Sequence, residues 1–291
     1  EVSRTGSLRL HGASITDSRE FLIGMSQLDT SNLLAPYFKE LDKDEIFQHH
    51  RKSSRKREEA SWIIRDIPMR FYTPRNVPLS TVQLMLAKTP DIMKWLQARL
   101  GLPFPYPIKY YQFVAPELPS AMENITLTTW GNDYLLNPVW ALEYGASTES
   151  INVHEMAHSY FGNSVGIKFW EHAWLKEGWA NYVECLWQED KYGADALAYM
   201  IHRNGKLYMK ESDNLYCRSI VTSRYDSSWD LYDQHLYRGG SRRLHTLRCM
   251  IGEDIFWPAI TDYLRTYHNK LVETDDFRKV LEKHSHRNLV P

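Results

Sequence analysis

The sequence has few cysteines, no long apolar run and almost no net charge, and each shortage excludes a class of protein. Three scattered cysteines in 291 residues are too few for a disulfide framework. We expect them to be mostly buried thiols in a reducing compartment, which favours a cytoplasmic location. No run of about 18 apolar residues occurs, so no membrane span is predicted. The formal net charge of -1 gives no overall attraction to nucleic acid or anionic lipid, and we expect no nucleic-acid partner.

The composition is that of a globular domain with a large core. Hydrophobic residues make up 43% of the chain and charged residues 24%, which is ordinary for a soluble protein. The first 64 residues carry weaker patterns, among them a candidate strand at 21–25 and a basic run at 49–57. Acidic residues follow the basic run at once, so we interpret it as a solvated surface.

From residue 67 onwards the pattern changes from strands to helices. Alternation of apolar and polar residues predicts a strand at 67–72, and a helix starting at Thr89 should end near Leu100. Two more strands are predicted, at 109–114 and 125–130. Six helical segments follow, at about 148–161, 173–188, 194–210, 239–251, 255–267 and 275–283. Strands followed by helices favour an α+β domain, with the functional site where the two layers meet.

One short motif carries recognisable chemistry. Residues 154–158 read His-Glu-Met-Ala-His. On a helix, positions i and i+4 share a face, so His154 and His158 can reach one metal ion. Glu155 then points beside the metal, where it can meet a bound water, and this is the metalloprotease arrangement. By itself the motif is moderately specific, because an exposed helix face with charged side chains could have the same residue pattern.

A catalytic zinc site needs a third protein ligand and an open position. Glu177, on the next predicted helix, is our choice, and Asn181 and Glu184 lie on the same face of that helix. Two imidazoles and one carboxylate favour one zinc ion over calcium or magnesium. Glu184 is a candidate acceptor for a ligand imidazole N–H, with a solvated carboxylate as the alternative. His172 is a less favoured ligand, because its spacing from the pair is short.

Three motifs of this sequence resemble those of the alanyl aminopeptidase family of gluzincin metallopeptidases. They occur in the same order as in that family. Residues 120–124 read Ser-Ala-Met-Glu-Asn and resemble the family's Gly-x-Met-Glu-Asn exopeptidase motif. The metal motif at 154–158 is followed, after eighteen residues, by Glu177. Residues 237–240 read Tyr-Arg-Gly-Gly and resemble the family's Tyr-x-x-Gly. Together the motifs cover roughly 65–291 and are far more specific than the metal motif alone.

The resemblance implies a fold and a domain division. It implies a thermolysin-like zinc peptidase domain at 65–291, with a small mixed β-sheet lobe followed by a mainly helical lobe. Residues 1–64 would be a remnant of the family's N-terminal β-domain and a connecting segment. Ser120 replaces the glycine of the family motif. Because serine resists positive φ, we expect the edge strand to bend differently there.

The resemblance also implies a zinc-dependent aminopeptidase that removes N-terminal residues from peptides. Glu155 would be the general base, and the Tyr237 hydroxyl would stabilise the oxyanion, with Tyr232 as a weaker rival. Glu123 would hold the substrate's free α-amino group. The remaining motif residues are expected to bind substrate: Ala121, Met122 and Asn124. Zinc would be held by His154, His158 and Glu177.

Other functions are open at this stage. A zinc endopeptidase or an epoxide-hydrolysing relative could use the same metal site, and endopeptidase action would need Glu123 to lie away from the first subsite. A non-catalytic scaffold is the alternative from another class. The intact ligand set and Glu155 argue against the scaffold.

Overall fold

The computed structural model of the chain describes residues 67–115, 118 and 120–290, together with the backbone of three short strands within the first 41 residues. The strand predicted at 21–25 and the basic run at 49–57 lie outside the described residues. The description therefore covers every candidate site residue.

A small set of strands precedes a larger set of helices. The strands are β1 (Leu8–Leu10), β2 (Ala13–Ile15), β3 (Phe38–Leu41), β4 (Met69–Pro74), β5 (Tyr110–Val114), β6 (Ala121–Met122), β7 (Leu127–Trp130), β8 (Val165–Ile167) and β9 (Lys270–Val272). The α-helices are α1 (Leu79–Leu86), α2 (Thr89–Leu100), α3 (Pro138–Ala157), α4 (Trp174–Tyr192), α5 (Ala194–Asn214), α6 (Gly240–Ile251), α7 (Glu253–Thr266) and α8 (Thr274–Ser285). Short 3-10 helices lie at Asn132–Tyr134, Trp170–His172 and Ser228–Leu231, and a π-helix lies at His235–Gly239.

The main sheet has five strands in the order β3-β4-β5-β7-β6. The pairs β4–β5 and β5–β7 are parallel, whereas β3–β4 and β6–β7 are antiparallel. The sheet is therefore mixed, as the resemblance implied. The short strand β6 forms one edge of the sheet, where Ala121 pairs with Trp130.

A buried polar network links the sheet to the helices. Trp130 Nε1 donates to Gln112 Oε1 at 2.9 Å, and Gln112 Nε2 donates to Thr89 Oγ1 at 3.0 Å. Asn152 Nδ2, on α3, donates to the same Thr89 oxygen at 2.9 Å. Because buried polar groups are costly unless they are hydrogen-bonded, this network fixes where α3 lies against the sheet.

Helix α3 begins ten residues earlier than the predicted start at residue 148. Asn137 caps it, its side chain accepting from the backbone N–H groups of Val139 and Trp140 at 2.9 Å each, and Pro138 stands in the first turn. The first half carries several large apolar side chains, among them Val139, Trp140 and Leu142, but they are exposed and form no face toward the core. The helix also ends at Ala157 instead of residue 161.

The other predicted helices are present, with starts within two residues of the predicted positions. The short helix α1 and the strands β8 and β9 were not predicted. β8 pairs in parallel with β9, about one hundred residues later in the chain. Three residues are too few to show an alternating pattern, and nothing local reveals so distant a partner.

The expectation that the cysteines are mostly buried has a mixed outcome. Cys185 is buried, but Cys217 and Cys249 are exposed, so the expectation of mostly buried thiols was wrong for two of the three. Among the described residues, no helix is both long enough and apolar enough to cross a membrane.

Two glycines allow α4 and α6 to touch. A methyl group on Gly178 would lie 3.0 Å from Gly240 Cα, and one on Gly240 would lie 2.8 Å from Gly178 Cα. Real side chains do not pack at these distances, so the two backbones meet only because both positions are glycine. The contact places the π-helix, which immediately precedes Gly240, beside the start of α4.

Substitution of Gly240 by alanine should therefore destabilise the protein. Overpacking of a tight contact costs about 1–3 kcal/mol, and we expect the free energy of unfolding to fall by that amount in urea denaturation. Gly145→Ala is the matched control, because no atom lies within 4 Å of the added methyl. It should be neutral or stabilise the helix by about 0.5–1 kcal/mol. Equal stability of the two variants would contradict the close contact.

Candidate metal centre

Helices α3 and α4 bring three metal-binding side chains to one point. Nε2 of His154 and Nε2 of His158 each lie 3.3 Å from Oε2 of Glu177. The ligand atoms of the three residues lie within 4.8 Å of one another, and all three side chains are buried. His154 lies in the last turn of α3, His158 is the residue that caps it, and Glu177 lies in the first turn of α4. The three residues chosen from the sequence are therefore together.

Hydrogen bonds on the far side of each imidazole aim it at this point. Glu184 Oε1 lies 2.8 Å from His154 Nδ1, where the sequence analysis expected an acceptor. His158 Nδ1 lies 3.0 Å from the backbone carbonyl of Phe161. A carbonyl oxygen can only accept, so Nδ1 of His158 carries a proton and its Nε2 is free to bind a metal.

A buried amide chain holds Glu184 in turn. Asn181 Nδ2 donates to Glu184 Oε1 at 2.8 Å, and Asn204 Nδ2 donates to Asn181 Oδ1 at 3.0 Å. Asn204 comes from α5 and was not predicted, because no local spacing connects it to the motif. The chain fixes the carboxylate that orients His154.

The electrostatics of the cluster favour a cation. Burial opposes the charged form of His154, but the Glu177 and Glu184 carboxylates outweigh it and raise its pKa well above the ordinary value. Burial likewise opposes the charge on Glu177, but His158 and Lys176 hold the pKa of its carboxyl well below the usual range. The carboxylates thus stay ionised in a dry site, where a divalent cation would interact strongly.

Glu155 lies beside the ligand set, in a position suited to a base. Its side chain is buried, and Oε2 has no hydrogen-bond partner among the described residues. Burial raises its pKa to about 7, against the opposing effect of His154 and His158. A general base with a pKa near neutrality is well matched to proton transfer at physiological pH. An unpartnered buried oxygen next to three ligands also fits a site that takes in water.

The π-helix places Tyr237 beside the cluster. The Tyr237 ring lies 6.0 Å from the His154 ring, and the Tyr232 ring lies 6.2 Å from that of Tyr237. Burial raises the pKa of Tyr237, so its hydroxyl remains a hydrogen-bond donor. π-Helices are rare and often occur at functional sites. Of the two tyrosines, Tyr237 is the one whose ring contacts a candidate ligand.

The Ser-Ala-Met-Glu-Asn motif lies at the edge strand β6 and the turn after it. Ala121 and Met122 form β6 itself. The carboxylate of Glu123 lies within 4.8 Å of Glu155 and His158 ligand atoms, so it faces the metal cluster. Asn124 Nδ2 donates to Thr129 Oγ1 at 3.0 Å, which braces the hairpin. The roles of these residues toward a substrate stay predictions.

Ser120 fits the motif's glycine position without strain. It is absent from the non-glycine residues with positive φ, which among the described residues are Thr126, Asn269 and His286. Its carbonyl accepts from the Gly131 N–H at 2.8 Å, which continues the β6–β7 pairing. A different bend of the strand, which we expected from the serine, is therefore not needed.

Lys176 is a site residue that the sequence analysis missed. Its Nζ lies 2.6 Å from Glu123 Oε1 and 3.1 Å from Glu177 Oε1, and the side chain is 13% exposed. Burial would raise the pKa of Glu123, but His158 and Lys176 lower it to about 2. The only signal was its place next to Glu177 in the sequence.

His172 does not join the cluster, in agreement with its low ranking as a ligand. Its Nδ1 lies 3.0 Å from Thr274 Oγ1, and its Nε2 lies 3.3 Å from Glu171. It belongs to the contact between the segment before α4 and the start of α8. His172 is therefore not part of the group formed by His154, His158 and Glu177.

A second group of carboxylates and a histidine lies beneath the π-helix. His235 Nδ1 lies 2.7 Å from Glu211 Oε2, and the ligand atoms of Glu211, Asp233 and His235 are close enough to hold an ion. However, Arg218 already donates to both oxygens of Asp233, at 2.7 and 2.8 Å. We interpret the group as an ion-pair network that supports the π-helix.

Most of this chain matches one known protein family. The family model described as "Peptidase family M1 domain" matches residues 84–290, which is well over half of the chain. The chain belongs to peptidase family M1. The match includes all three motifs, so every candidate site residue falls within the M1 domain.

Named relatives and a solved structure agree with M1 membership. Aminopeptidase Ey from Gallus gallus is 28% identical over 216 residues, covering 71% of this chain and 22% of the relative. Aminopeptidase N from Homo sapiens is 27% identical over 194 residues, covering 62% and 19%. This chain thus spans about one fifth of the length of these relatives. The M1 zinc metallopeptidase from Deinococcus radiodurans, solved as a mutant with a Tyr-Ser-Ala substrate, shares the fold, with a TM-score of 0.60 at 24% identity over 75% of this chain and 45% of that one.

The substitution Glu184→Gln tests whether the Glu184 carboxylate orients the His154 imidazole. The substitution removes the charge that faces His154 Nδ1, and loss of such a supporting group typically weakens metal affinity by about 10–100-fold. We expect that change in the dissociation constant for zinc, measured by competition with a chromophoric chelator. Glu143→Gln, an exposed position on α3, is the control and should bind zinc as the unsubstituted chain does. Unchanged affinity in folded Glu184→Gln would mean that Glu184 does not orient the ligand.

Proposed function

We propose that this chain is the zinc-dependent catalytic part of an aminopeptidase, which removes N-terminal residues from peptides. The observation that carries the proposal is that His154, His158 and Glu177 form one buried group, and that Glu155 and Glu123 form a second group with the same His158. We further propose a thermolysin-like catalytic domain at 65–291, with residues 1–64 as the remnant of an N-terminal β-domain and its connecting segment. The names of the M1 relatives, aminopeptidase Ey and aminopeptidase N, support this function.

Zinc is the metal that the donor set fits best. Two imidazole nitrogens and one carboxylate, with a fourth position open, are the ligands of a catalytic zinc site. The orienting bonds from Glu184 and the Phe161 carbonyl fit the same assignment. When bound, zinc supplies a Lewis acid that polarises a carbonyl and makes water more acidic.

Glu155 would move the proton. Its buried, unpartnered Oε2 can accept a proton from an attacking water, and the same carboxyl can then deliver it to the leaving amine. Its place one residue after His154 keeps it close to the metal but outside the ligand set. It would therefore be placed to take a proton from a water at the metal.

Tyr237 would stabilise the oxyanion that develops on the attacked carbonyl. Its ring lies beside the His154 ring, and its hydroxyl stays protonated and can donate. A fixed donor of this kind typically contributes about 2.7–4 kcal/mol to transition-state stabilisation. The Gly178–Gly240 contact and the network under the π-helix hold the donor in place.

Glu123 and the edge strand β6 would select and orient the substrate. A peptide backbone can add to an exposed sheet edge as another strand, and β6 ends directly at Glu123. The Glu123 carboxylate, kept ionised, would hold the α-ammonium so that the first peptide bond lies over the metal. A carboxylate so near the metal leaves little room for preceding residues, which favours exopeptidase over endopeptidase action.

The proposal is tested with alanyl and leucyl chromogenic anilides and their N-acetyl counterparts. We expect the free-amine substrates to be hydrolysed and the acetylated ones to react at least about tenfold more slowly, because a charged hydrogen bond is worth about 1.5–3 kcal/mol. A chelator should abolish hydrolysis. Glu155→Gln should retain zinc but lose about 10²–10⁴-fold in turnover, whereas Glu143→Gln should match the unsubstituted chain.

The alternatives predict other results in the same assay. Equal hydrolysis of free and acetylated substrates would support an endopeptidase. Bound zinc without any hydrolysis would support a scaffold. Loss of zinc in Glu155→Gln would show that Glu155 is a ligand and would overturn its role as the base.

A further inference from the structure

The Lys176 ammonium lies where an aminopeptidase must bind the amine of its substrate. We propose that Lys176 is an internal competitor for the substrate's α-ammonium: its Nζ fills the amine position in the free protein and leaves when a peptide N-terminus binds. The inference rests on the proposed function and deepens it. It makes Lys176 a residue that sets how tightly free amines bind.

The two oxygens of Glu177 define the position. Oε2 faces both histidines at 3.3 Å, on the metal side, whereas Oε1 lies 3.1 Å from Lys176 Nζ. Nζ is therefore separated from the metal position by one carboxylate group. In an aminoacyl substrate only one carbon separates the amine from the carbonyl that must reach the metal. A bound α-ammonium must therefore lie at a similarly short distance from the metal.

The partners of Nζ are those that an α-ammonium requires. Glu123 Oε1 accepts from Lys176 at 2.6 Å, a short charge-assisted hydrogen bond. Glu123 is also the carboxylate that the exopeptidase motif offers to a peptide amine. Two ammonium groups held by one pair of carboxylates would repel each other at contact distance. Binding of the substrate amine and of Lys176 at this place is therefore mutually exclusive.

The lysine side chain can leave the position. The lysine side chain has four flexible methylene groups, and its ammonium can rotate, unlike the planar guanidinium of arginine. Nζ already lies 5.9 Å from the centre of the Tyr232 ring, so the cation can keep this aromatic contact when it leaves the carboxylates. Displacement thus has a path that does not unfold α4.

If Lys176 instead positions Glu123, removing the lysine should change the affinity for amines in the opposite direction. If the lysine only orients Glu123 for the substrate, its removal weakens the binding of amines. If it competes with the substrate, its removal strengthens that binding. The two ideas can therefore be separated by one binding measurement.

The test compares alanine hydroxamate with propionohydroxamate on the zinc-loaded chain by calorimetry. The two probes bind metal alike and differ only in the α-amine. In Lys176→Met we expect the dissociation constant of alanine hydroxamate to fall about tenfold, the effect of freeing one charge-assisted hydrogen bond. That of propionohydroxamate should change by less than about threefold on the same reasoning. Lys176→Gln is a second uncharged variant, should methionine lower the stability.

Two controls isolate the charge at this position. Lys168→Met removes an exposed lysine that pairs with Glu273, and it should leave both dissociation constants unchanged. Lys176→Arg keeps a cation and should not tighten alanine hydroxamate. Unchanged or weaker binding of alanine hydroxamate to both uncharged variants would overturn the inference.

Failure of the proposed function is seen separately. Hydrolysis of alanyl anilide by the unsubstituted chain is measured in parallel. Normal hydrolysis without tighter binding in Lys176→Met overturns only the competitor role. No hydrolysis by the unsubstituted chain refutes the proposed function, and the competitor role with it.

Discussion

The burial of one carboxylate, that of Glu177, where α3 meets α4 is the constraint on which the rest of the site depends. A buried charge costs several kcal/mol unless opposite charges surround it. Here two imidazoles face one carboxylate oxygen, and the Lys176 ammonium faces the other. The packing that provides partners for the Glu177 carboxylate brings two histidines to one of its oxygens. The same contact between α3 and α4 therefore also forms a site suited to a cation.

The surrounding structure keeps that contact in register. Hydrogen bonds from Gln112 through Thr89 to Asn152 tie α3 to the sheet, which fixes the metal helix relative to the edge strand. The Gly178–Gly240 contact brings the π-helix against α4. Separate buried interactions therefore set the positions of three parts of the site. These are the edge strand, the candidate metal ligands, and the π-helix that carries the candidate oxyanion donor. A site built on rigid elements of this kind is preorganised for chemistry.

The ligand set was predictable because it depends on local geometry. Helical spacing alone places His154 and His158 on one face. Glu177 followed from the need for a third ligand on the next helix, and the resemblance implied Tyr237 and Glu123. The start of α3 was missed because the apolar residues of its first half are exposed and do not mark one face that packs on the core. Lys176, Asn204 and the π-helix could not be predicted, because their roles arise from how distant helices pack. No spacing along the chain records such contacts.

Zinc K-edge X-ray absorption on the zinc-loaded chain tests the central claim most directly, since it reports the atoms around the metal. The account predicts four nitrogen and oxygen neighbours at about 2.0–2.2 Å, with imidazole scattering from two histidines. The signal of one imidazole should disappear in His158→Ala. Sulfur neighbours at about 2.3 Å would indicate cysteine ligands. Such neighbours, or an all-oxygen shell, would contradict a metal centre built from His154, His158 and Glu177.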